Sequence, residues 1–296
     1  MPPPPMLLPV PSRRPDNGRA SVYLLTAFLS FTAMTVFART IDSIPVFQMV
    51  FIRQALFVLF LLPYFYKNRS DILHPKRRGL HMLRGFLSFW AMSCGLWAVI
   101  LIPLAESISL QLTEVIIVTV LASFVLREKV GWRRCLALAV GIIGVLIMLR
   151  PFTGGFNPDS VFALLSALCA AGAAITVRMG AGYDSLAVVL FWQSIIILLL
   201  SAPLSLIVWT PLDMHTWLVL VAMSFVFMLG QGLMTAAFRL GEASAIAPLH
   251  YTRLLMMALV GYFFYDEIPT LTTLVGAAFI IASASDSIRQ NTRPKS

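Results

Sequence analysis

Long apolar runs separated by short polar connections dominate the chain. A helix that crosses a bilayer needs about 20 mostly apolar residues. The segments that meet this requirement run approximately over 21–38, 46–66, 81–100, 103–126, 132–150, 160–178, 186–208, 216–238, 244–265 and 269–287. The pattern predicts an all-α polytopic membrane protein with ten transmembrane helices. The short connections leave no room for a soluble catalytic or nucleotide-binding domain.

The distribution of Lys and Arg predicts the orientation of these spans. Cytoplasmic loops of membrane proteins carry an excess of both residues. With the N-terminus placed in the cytoplasm, 18 of the 22 Lys and Arg residues fall on the cytoplasmic side. Arg39 and Arg150 fall on the other side, and Arg53 and Arg253 lie within spans. We therefore expect a multi-pass protein of the bacterial inner membrane with both termini in the cytoplasm.

Composition excludes several classes of protein. The chain is 59% hydrophobic and 12% charged, with a mean hydropathy of +0.86, which excludes a soluble enzyme and a disordered chain. The net charge of +9 is spread between apolar runs, so we expect no nucleic-acid partner. Residues 1–20 are proline-rich and are predicted to form a disordered cytoplasmic tail, and 288–296 a second tail. Cys94, Cys135 and Cys169 lie in apolar runs and predict neither a disulfide framework nor a metal site.

The two halves of the sequence align with each other at a shift of about 139 residues. Residues 126–130 then meet 265–269, and Arg39 meets Arg178. Each half contains five predicted spans, and because five is odd, the second half enters the membrane from the opposite side. Inverted repeats of this kind are typical of secondary transporters, whose substrate site lies near the bilayer midplane between the repeats.

Several of these segments also resemble a known family. They are PLAES at 103–107, LREKVGWRR at 126–134 and GIIGV at 141–145 in the first half, and APLHYTR at 247–253 in the second. Together they resemble the EamA family of the drug/metabolite transporter superfamily, over roughly residues 20–287. The segment Thr113-Glu114-Val115 departs from the family pattern, in which a small residue and a proline commonly follow the threonine.

The resemblance implies two five-helix repeats, at 21–150 and 160–287, around a central cavity. It also implies cytoplasmic termini and transport without ATP or any other cofactor. Members of the family carry riboflavin, S-adenosylmethionine, amino acids, purines or opine-type metallophores, some inward and some outward. The resemblance alone therefore leaves the substrate and the direction of transport open.

Charged residues inside the predicted spans are the first candidates for a substrate or gating site. A charge near the bilayer centre costs several kcal/mol unless it is paired or faces a cavity. Glu114 and Arg253 lie about halfway along spans four and nine, at equivalent positions of the two repeats. Their matched depth favours either an ion pair or two separate poles that grip the charges of a substrate, and a static salt bridge that locks the two repeats together is the structural alternative. Arg53 in span two is predicted to face the cavity.

Neutral polar and aromatic side chains complete the predicted site. Amides need hydrogen-bond partners in hydrocarbon, a histidine can relay protons, and flat rings can stack on a heterocycle. The residues with these properties deep in the spans are Gln111, Gln193, His250, Tyr251, Trp90 and Trp192. Each also has a simpler interpretation as a packing residue.

The sequence as a whole predicts a secondary transporter of a small metabolite, driven by a coupling proton or by the substrate gradient. Aromatic faces and neutral amides favour riboflavin-type uptake. The alternative is export of an amino acid, an opine-type metallophore or another zwitterion, which would use Glu114 and Arg253 directly. An intramembrane enzyme is disfavoured, because no paired aspartates or Ser–His arrangement lies at helix depth. A structural protein is disfavoured because it would not require the internal duplication.

Overall fold

The computed structural model describes residues 17–125, 132–149, 157–180, 183–240, 249 and 252–291, and these residues are mainly helical. The described helices, numbered in chain order, are α1 (Asn17–Thr40), α2 (Val46–Lys67), α3 (Arg69–Leu73), α4 (Arg78–Leu101), α5 (Leu104–Gln111), α6 (Glu114–Val125), α7 (Trp132–Leu149), α8 (Ser160–Gly180), α9 (Leu186–Ile207), α10 (Met214–Leu240), α11 (Thr252–Tyr265) and α12 (Leu271–Asn291).

Six of these helices are long and apolar enough to cross a membrane, judged by length and composition: α1, α2, α4, α8, α9 and α10. They coincide with six of the predicted spans. Helices α7 and α12 occupy the predicted spans 132–150 and 269–287, and α11 occupies the second half of 244–265. The prediction of an all-helical membrane protein is confirmed.

The predicted span 103–126 is not one continuous helix. It divides into α5 and α6 at Leu112 and Thr113. The backbone N–H of Thr113 donates to the Leu110 carbonyl at 3.1 Å, and its hydroxyl donates to the same oxygen at 2.6 Å. This tight bonding to the third residue back ends α5, because the hydroxyl competes with the helix for its carbonyl groups. Glu114 therefore stands in the first turn of α6, where the helix dipole favours a carboxylate.

The second half contains the same local arrangement at the aligned position. The Thr252 hydroxyl donates to the Leu249 carbonyl at 2.6 Å, again three residues back. Thr252 begins α11 just as Thr113 precedes α6, and Arg253 takes the place of Glu114. The two opposite charges therefore occupy equivalent places, each at the start of a half-length helix.

Helix packing has the same pattern in both halves. Helix α8 is the counterpart of α1 in the second half, and α10 is the counterpart of α4. Helix α1 packs on α10, and in the same way α8 packs on α4. The pairs α2 with α9 and α7 with α12 each join a helix to its own counterpart, and α5 of the first half packs on α11 of the second. Every one of these pairs connects the two halves. The repeats are therefore interlocked around a common centre.

The outer surface of the bundle is apolar. Ile207, Phe263 and Phe264 are 79%, 72% and 69% exposed. A soluble monomer rarely leaves such rings and branched chains in contact with water, whereas a hydrocarbon environment favours them. In contrast to these exposed side chains, the largest buried cluster among the described residues lies between α1, α2, α4, α9 and α10, and includes Met49, Phe89 and Met223.

Candidate functional site

A cavity of about 230 Å³ lies between the two repeats. Helices α1, α2, α4 and α5 of the first half line it, together with α8, α10 and α11 of the second half. Its polar or charged lining residues are Thr35, Arg53, Gln111, Ser166, Gln231 and Arg253. Three of the predicted site residues, Arg53, Gln111 and Arg253, thus share one cavity.

Arg53 projects from α2 and is 1% exposed. Its guanidinium carbon lies 4.7 Å from the ring centroid of Phe227, and its Nη1 lies 3.6 Å from the thioether sulfur of Met34. Nε and Nη2 have no hydrogen-bond partner among the described residues. A ring face and a thioether are weak partners for a cation. The Nε and Nη2 donors of Arg53 are therefore available to a further partner.

Glu114 and Arg253 interact electrostatically through space. Among the described residues no hydrogen bond and no ion pair at 4 Å or less joins them, so whether they act as a pair or as two separate poles stays a prediction. Arg253 lines the cavity and its guanidinium carbon lies 6.0 Å from the Phe31 ring. Glu114 is partly buried and does not line this cavity.

Gln111 and Ser166 supply neutral hydrogen-bonding groups. The side-chain amide of Gln111 donates to the Ser107 hydroxyl at 3.1 Å, and the Ser166 hydroxyl donates to the Ala91 carbonyl at 2.8 Å. A Cβ added at Gly95 would lie 3.0 Å from the Ser166 hydroxyl. The glycine therefore lets α4 and α8 approach closely on this side of the cavity.

The aromatic surface of the cavity comes from residues that the sequence did not single out. The Phe31 and Phe227 rings lie 6.2 Å apart at 49°, and Phe57, which does not line the cavity, lies 5.6 Å from Phe227. All three occur in helices that are apolar on most faces, so no local signal distinguishes them from core residues. Only the packing of α1 on α10 brings Phe31 and Phe227 to the same wall.

Three predicted residues lie away from the cavity. Gln193 accepts a hydrogen bond from Arg84 Nε at 3.1 Å, between α4 and α9. Trp90 packs against Phe47 and Phe89 in the largest apolar cluster. These side chains were expected to line or support the site because they lie deep in their spans, but depth alone does not fix the face of the helix on which a residue lies.

Trp192 is the third predicted residue away from the cavity. Its indole N–H donates to the Ile72 carbonyl at 3.1 Å, so it fastens α9 to the short helix α3. The predicted residues His250 and Tyr251 lie outside the described residues.

A second cluster joins the ends of four helices. Arg39 Nη1 pairs with Glu267, while Arg39 Nε and Nη2 donate to the Val99 and Ile102 carbonyls, each at 2.5 Å. The other oxygen of Glu267 accepts from the Leu104 N–H at 2.7 Å. We call this set of residues the Arg39–Glu267 junction. It connects α1, α4 and α5 of the first half to α11 of the second half.

The sequence contained a signal for this junction. The repeat alignment matches Arg39 with Arg178 and places Glu267 opposite Glu128. An arginine at the end of the first helix and a glutamate after the fourth are therefore features of each repeat. The alignment does not say that the arginine of one repeat pairs with the glutamate of the other, which only the packing decides.

Comparison with known proteins supports the predicted resemblance. The sequence model of the EamA-like transporter family matches residues 18–150 and 159–285. The chain is 29% identical over 242 residues to the S-adenosylmethionine uptake transporter of Rickettsia prowazekii (strain Madrid E), covering 79% of this chain and 80% of that one. It is 26% identical to a riboflavin transporter of Vibrio cholerae serotype O1, over 90% of this chain and 92% of that one.

Two further similarities extend this comparison. A pseudopaline exporter of Pseudomonas aeruginosa (strain UCBPP-PA14) is 27% identical, over 88% of this chain and 93% of the exporter. A solved crystal structure superposes with a TM-score of 0.59, covering 93% of this chain and 99% of that chain. At 18% sequence identity this last match shows a shared fold alone.

Proposed function

The chain belongs to the EamA-like transporter family, and on that premise we propose that it is a secondary transporter that moves a small metabolite across the bacterial inner membrane by alternating access. The observation that carries the proposal is the cavity between the two repeats, with residues from seven helices in its wall. A site at the interface of two repeats is open to one side of the membrane or the other as the repeats move against each other.

The proposal includes ten membrane spans arranged as two inverted five-helix repeats, at 21–150 and 160–287, with both termini in the cytoplasm. The exchange of equivalent helix pairs supports a two-fold relation between the halves. The matching threonine bonds before Glu114 and Arg253 support it at the residue level. An odd number of spans in each repeat makes the relation inverted.

Two classes of cargo fit this site, and each has an observation in its favour. Riboflavin-type uptake is supported by the Phe31 and Phe227 rings and by the amide of Gln111, which suit a flat heterocycle with polar edges. A zwitterion of the S-adenosylmethionine or pseudopaline type is supported by the charges of Arg53, Arg253 and Glu114. The relatives named above include transporters of both classes.

The size of the cavity supports a site that opens to load. Ligand sites of proteins typically enclose about 300–1,000 Å³, and this cavity encloses about 230 Å³. A nucleoside-sized or flavin-sized cargo therefore requires the walls of the cavity to move apart. That movement is the structural requirement of alternating access.

Uptake measurements test the proposed function. We would express the chain in a bacterial strain that cannot make riboflavin and measure uptake of labelled riboflavin, with labelled S-adenosylmethionine in a parallel culture. Purified protein in proteoliposomes would then be tested for exchange of the same compounds in both directions. Saturable uptake or exchange identifies the cargo class and the direction. Protein that is present in the membrane and exchanges neither compound contradicts both proposed cargoes.

The control is the Glu114→Ala, Arg253→Ala double variant. Zwitterion transport should vanish in this variant, because it lacks both charges, whereas flavin transport should survive in folded protein. If replacing either Glu114 or Arg253 abolishes flavin uptake in folded protein, then the proposal that these charges serve a zwitterion and not a flavin is contradicted.

A further inference from the structure

Arg53 places a positive charge in the wall of the cavity, and no carboxylate among the described residues pairs with it. Arg39 pairs with Glu267 and His81 pairs with Asp184, and Arg53 takes part in neither of these ion pairs. The guanidinium group of Arg53 instead contacts the Phe227 ring and the Met34 sulfur. A buried charge without a counter-charge is unfavourable in a low dielectric, so its presence in a span marks a site with another purpose.

Arg253 contributes a second guanidinium to the same cavity. Its Nε also has no hydrogen-bond partner among the described residues. Glu114 acts electrostatically on Arg253 but does not line this cavity. Among the described residues, the two guanidinium groups and the one carboxylate named here carry a net positive charge.

We propose that Arg53 and Arg253 form an oxyanion subsite of the cavity, which binds a carboxylate or a phosphate of the transported molecule. This inference rests on the proposed function, because it names the chemistry of the cargo of that same site. The planar fork of an arginine matches the two oxygens of a carboxylate or phosphate, and each charge-assisted bond is short and strong. The unpaired Nε and Nη2 of Arg53 are the donors that such a group would engage.

The neighbouring groups complete the recognition of a zwitterion. Phe31 and Phe227 offer ring faces to the rest of the cargo, and Gln111 offers an amide. Glu114, which interacts electrostatically with Arg253, would attract an amino or sulfonium group of the cargo. The subsite therefore favours a cargo with a carboxylate over neutral riboflavin, and it would also favour a phosphorylated flavin over the vitamin.

A measurement without ligand separates this role from a structural one. Replacing Arg53 by Met removes an uncompensated buried charge, so the thermal unfolding midpoint of the ligand-free protein should stay equal or rise by about 2 °C or more. Arg84→Met is the matched control, because Arg84 is a partly buried arginine of α4 whose Nε donates to Gln193. That variant leaves Gln193 without its partner and should lower the midpoint. A midpoint that falls equally in both variants means that Arg53 is a structural lock and overturns the proposal.

Matched ligands test the chemistry directly. The purified protein in lipid nanodiscs would be titrated with S-adenosylmethionine and its decarboxylated analogue, and with riboflavin and its 5′-phosphate. The member with the additional oxyanion should bind at least about tenfold more tightly. In Arg53→Gln this preference should shrink to about threefold or less, while Arg84→Gln keeps it. The two ligand pairs distinguish a carboxylate site from a phosphate site.

The outcomes also separate the inference from the proposed function. Equal affinity for both members of each pair, in a protein that transports one of them, overturns the subsite and leaves the transporter intact. Failure to bind or transport any of the four compounds contradicts the proposed cargoes. In that case the unfolding midpoints of Arg53→Met and Arg84→Met still decide whether Arg53 is a functional charge or a structural lock.

Discussion

Glu114 and Arg253 illustrate how single charges are stabilised inside this bundle. Each starts a half-length helix, and the two interact through space without direct contact. Their positions also differ in kind, because the dipole at a helix N-terminus stabilises Glu114 and opposes Arg253. Arg253 therefore depends on Glu114 more than Glu114 depends on Arg253.

A double-mutant cycle tests this dependence. Glu114→Gln should lower the thermal unfolding midpoint, because it leaves Arg253 buried without a counter-charge. Arg253→Gln should have a smaller effect, and the double variant should be less destabilised than the sum of the two. We expect a coupling energy of about 0.5–3 kcal/mol, the range for residues of one network. Strictly additive effects in detergent-solubilised protein would contradict the electrostatic link.

Asp184 provides a pH-dependent contact outside the spans. Its carboxylate accepts from the Lys76 N–H and from the His81 ring, each at 3.0 Å, and joins the connection before α4 to that before α9. Burial raises the pKa of Asp184, but the hydrogen bonds from Lys76 and His81 outweigh that effect and hold the pKa below its usual value. A carboxyl with a depressed folded-state pKa stabilises the protein above its unfolded-state pKa, and this stabilisation is lost as the pH falls through the folded-state value.

Asp184→Asn should therefore lower the unfolding midpoint at pH 7. The difference between wild type and variant should shrink as the pH falls from about 4 downward, where the wild-type carboxyl becomes protonated. Unfolding midpoints of both proteins between pH 3 and pH 7 provide the measurement. A difference that stays constant over this range would show that the charge of Asp184 has no part in the contact.

At the scale of helices, the Arg39–Glu267 junction depends on a close approach at Gly261. The Glu267 N–H donates to the Gly261 carbonyl at 2.9 Å, and a Cβ on Gly261 would lie 2.8 Å from a carboxylate oxygen of Glu267. Between them Asp266 has a φ of 52°, a left-handed conformation that Asp tolerates better than most residues. The chain therefore turns back after α11, so that the Glu267 carboxylate lies against Gly261 of that helix.

Gly261→Ala should displace Glu267 and weaken the junction. We expect a loss of stability of about 1–3 kcal/mol, as for an added methylene in a packed site. Gly232→Ala in α10 is the matched control, because a Cβ there would meet no atom within 4 Å. The alanine in the control should be neutral or slightly stabilising, since alanine favours helix. Comparable losses in both variants would remove the steric argument for Gly261.

For the whole molecule, the arrangement of the spans decides which loops reach each side of the membrane. In the proposed topology the 41–45 and 209–213 connections face the periplasm, whereas the 68–77 and 183–185 connections face the cytoplasm. In a variant without the three native cysteines, Ser43→Cys and Thr210→Cys should react with an impermeant maleimide in intact spheroplasts. Ser70→Cys and Ser185→Cys should react only after lysis. Labelling of all four before lysis would contradict the inverted ten-span arrangement.

The Arg39–Glu267 junction fits this topology, because all four helix ends that it joins then lie on the periplasmic side. It connects the first repeat to the second across the outer end of the cavity wall. The sequence places Arg178 and Glu128 at the equivalent positions on the cytoplasmic side.

The sequence by itself determined the class of this protein and the position of nearly every helix. Hydrophobic length and charge bias are properties of consecutive residues, and a bilayer selects for them whatever the packing of the helices. The duplication and the family resemblance were visible for the same reason, since both are patterns along the chain. Arg53, Gln111 and Arg253 could be predicted as cavity residues because a polar group in hydrocarbon requires a special environment.

Only the tertiary structure decided which faces of the helices pack against each other. Phe31 and Phe227 form the cavity wall, whereas Trp90 and Trp192 pack elsewhere, although all four are rings deep in apolar helices. The pairing of Arg39 with Glu267 likewise depends on a contact between segments far apart in the chain. Rotation of a helix about its axis changes every such contact while leaving its length and hydropathy unchanged, so the position of these side chains could not be found from the sequence.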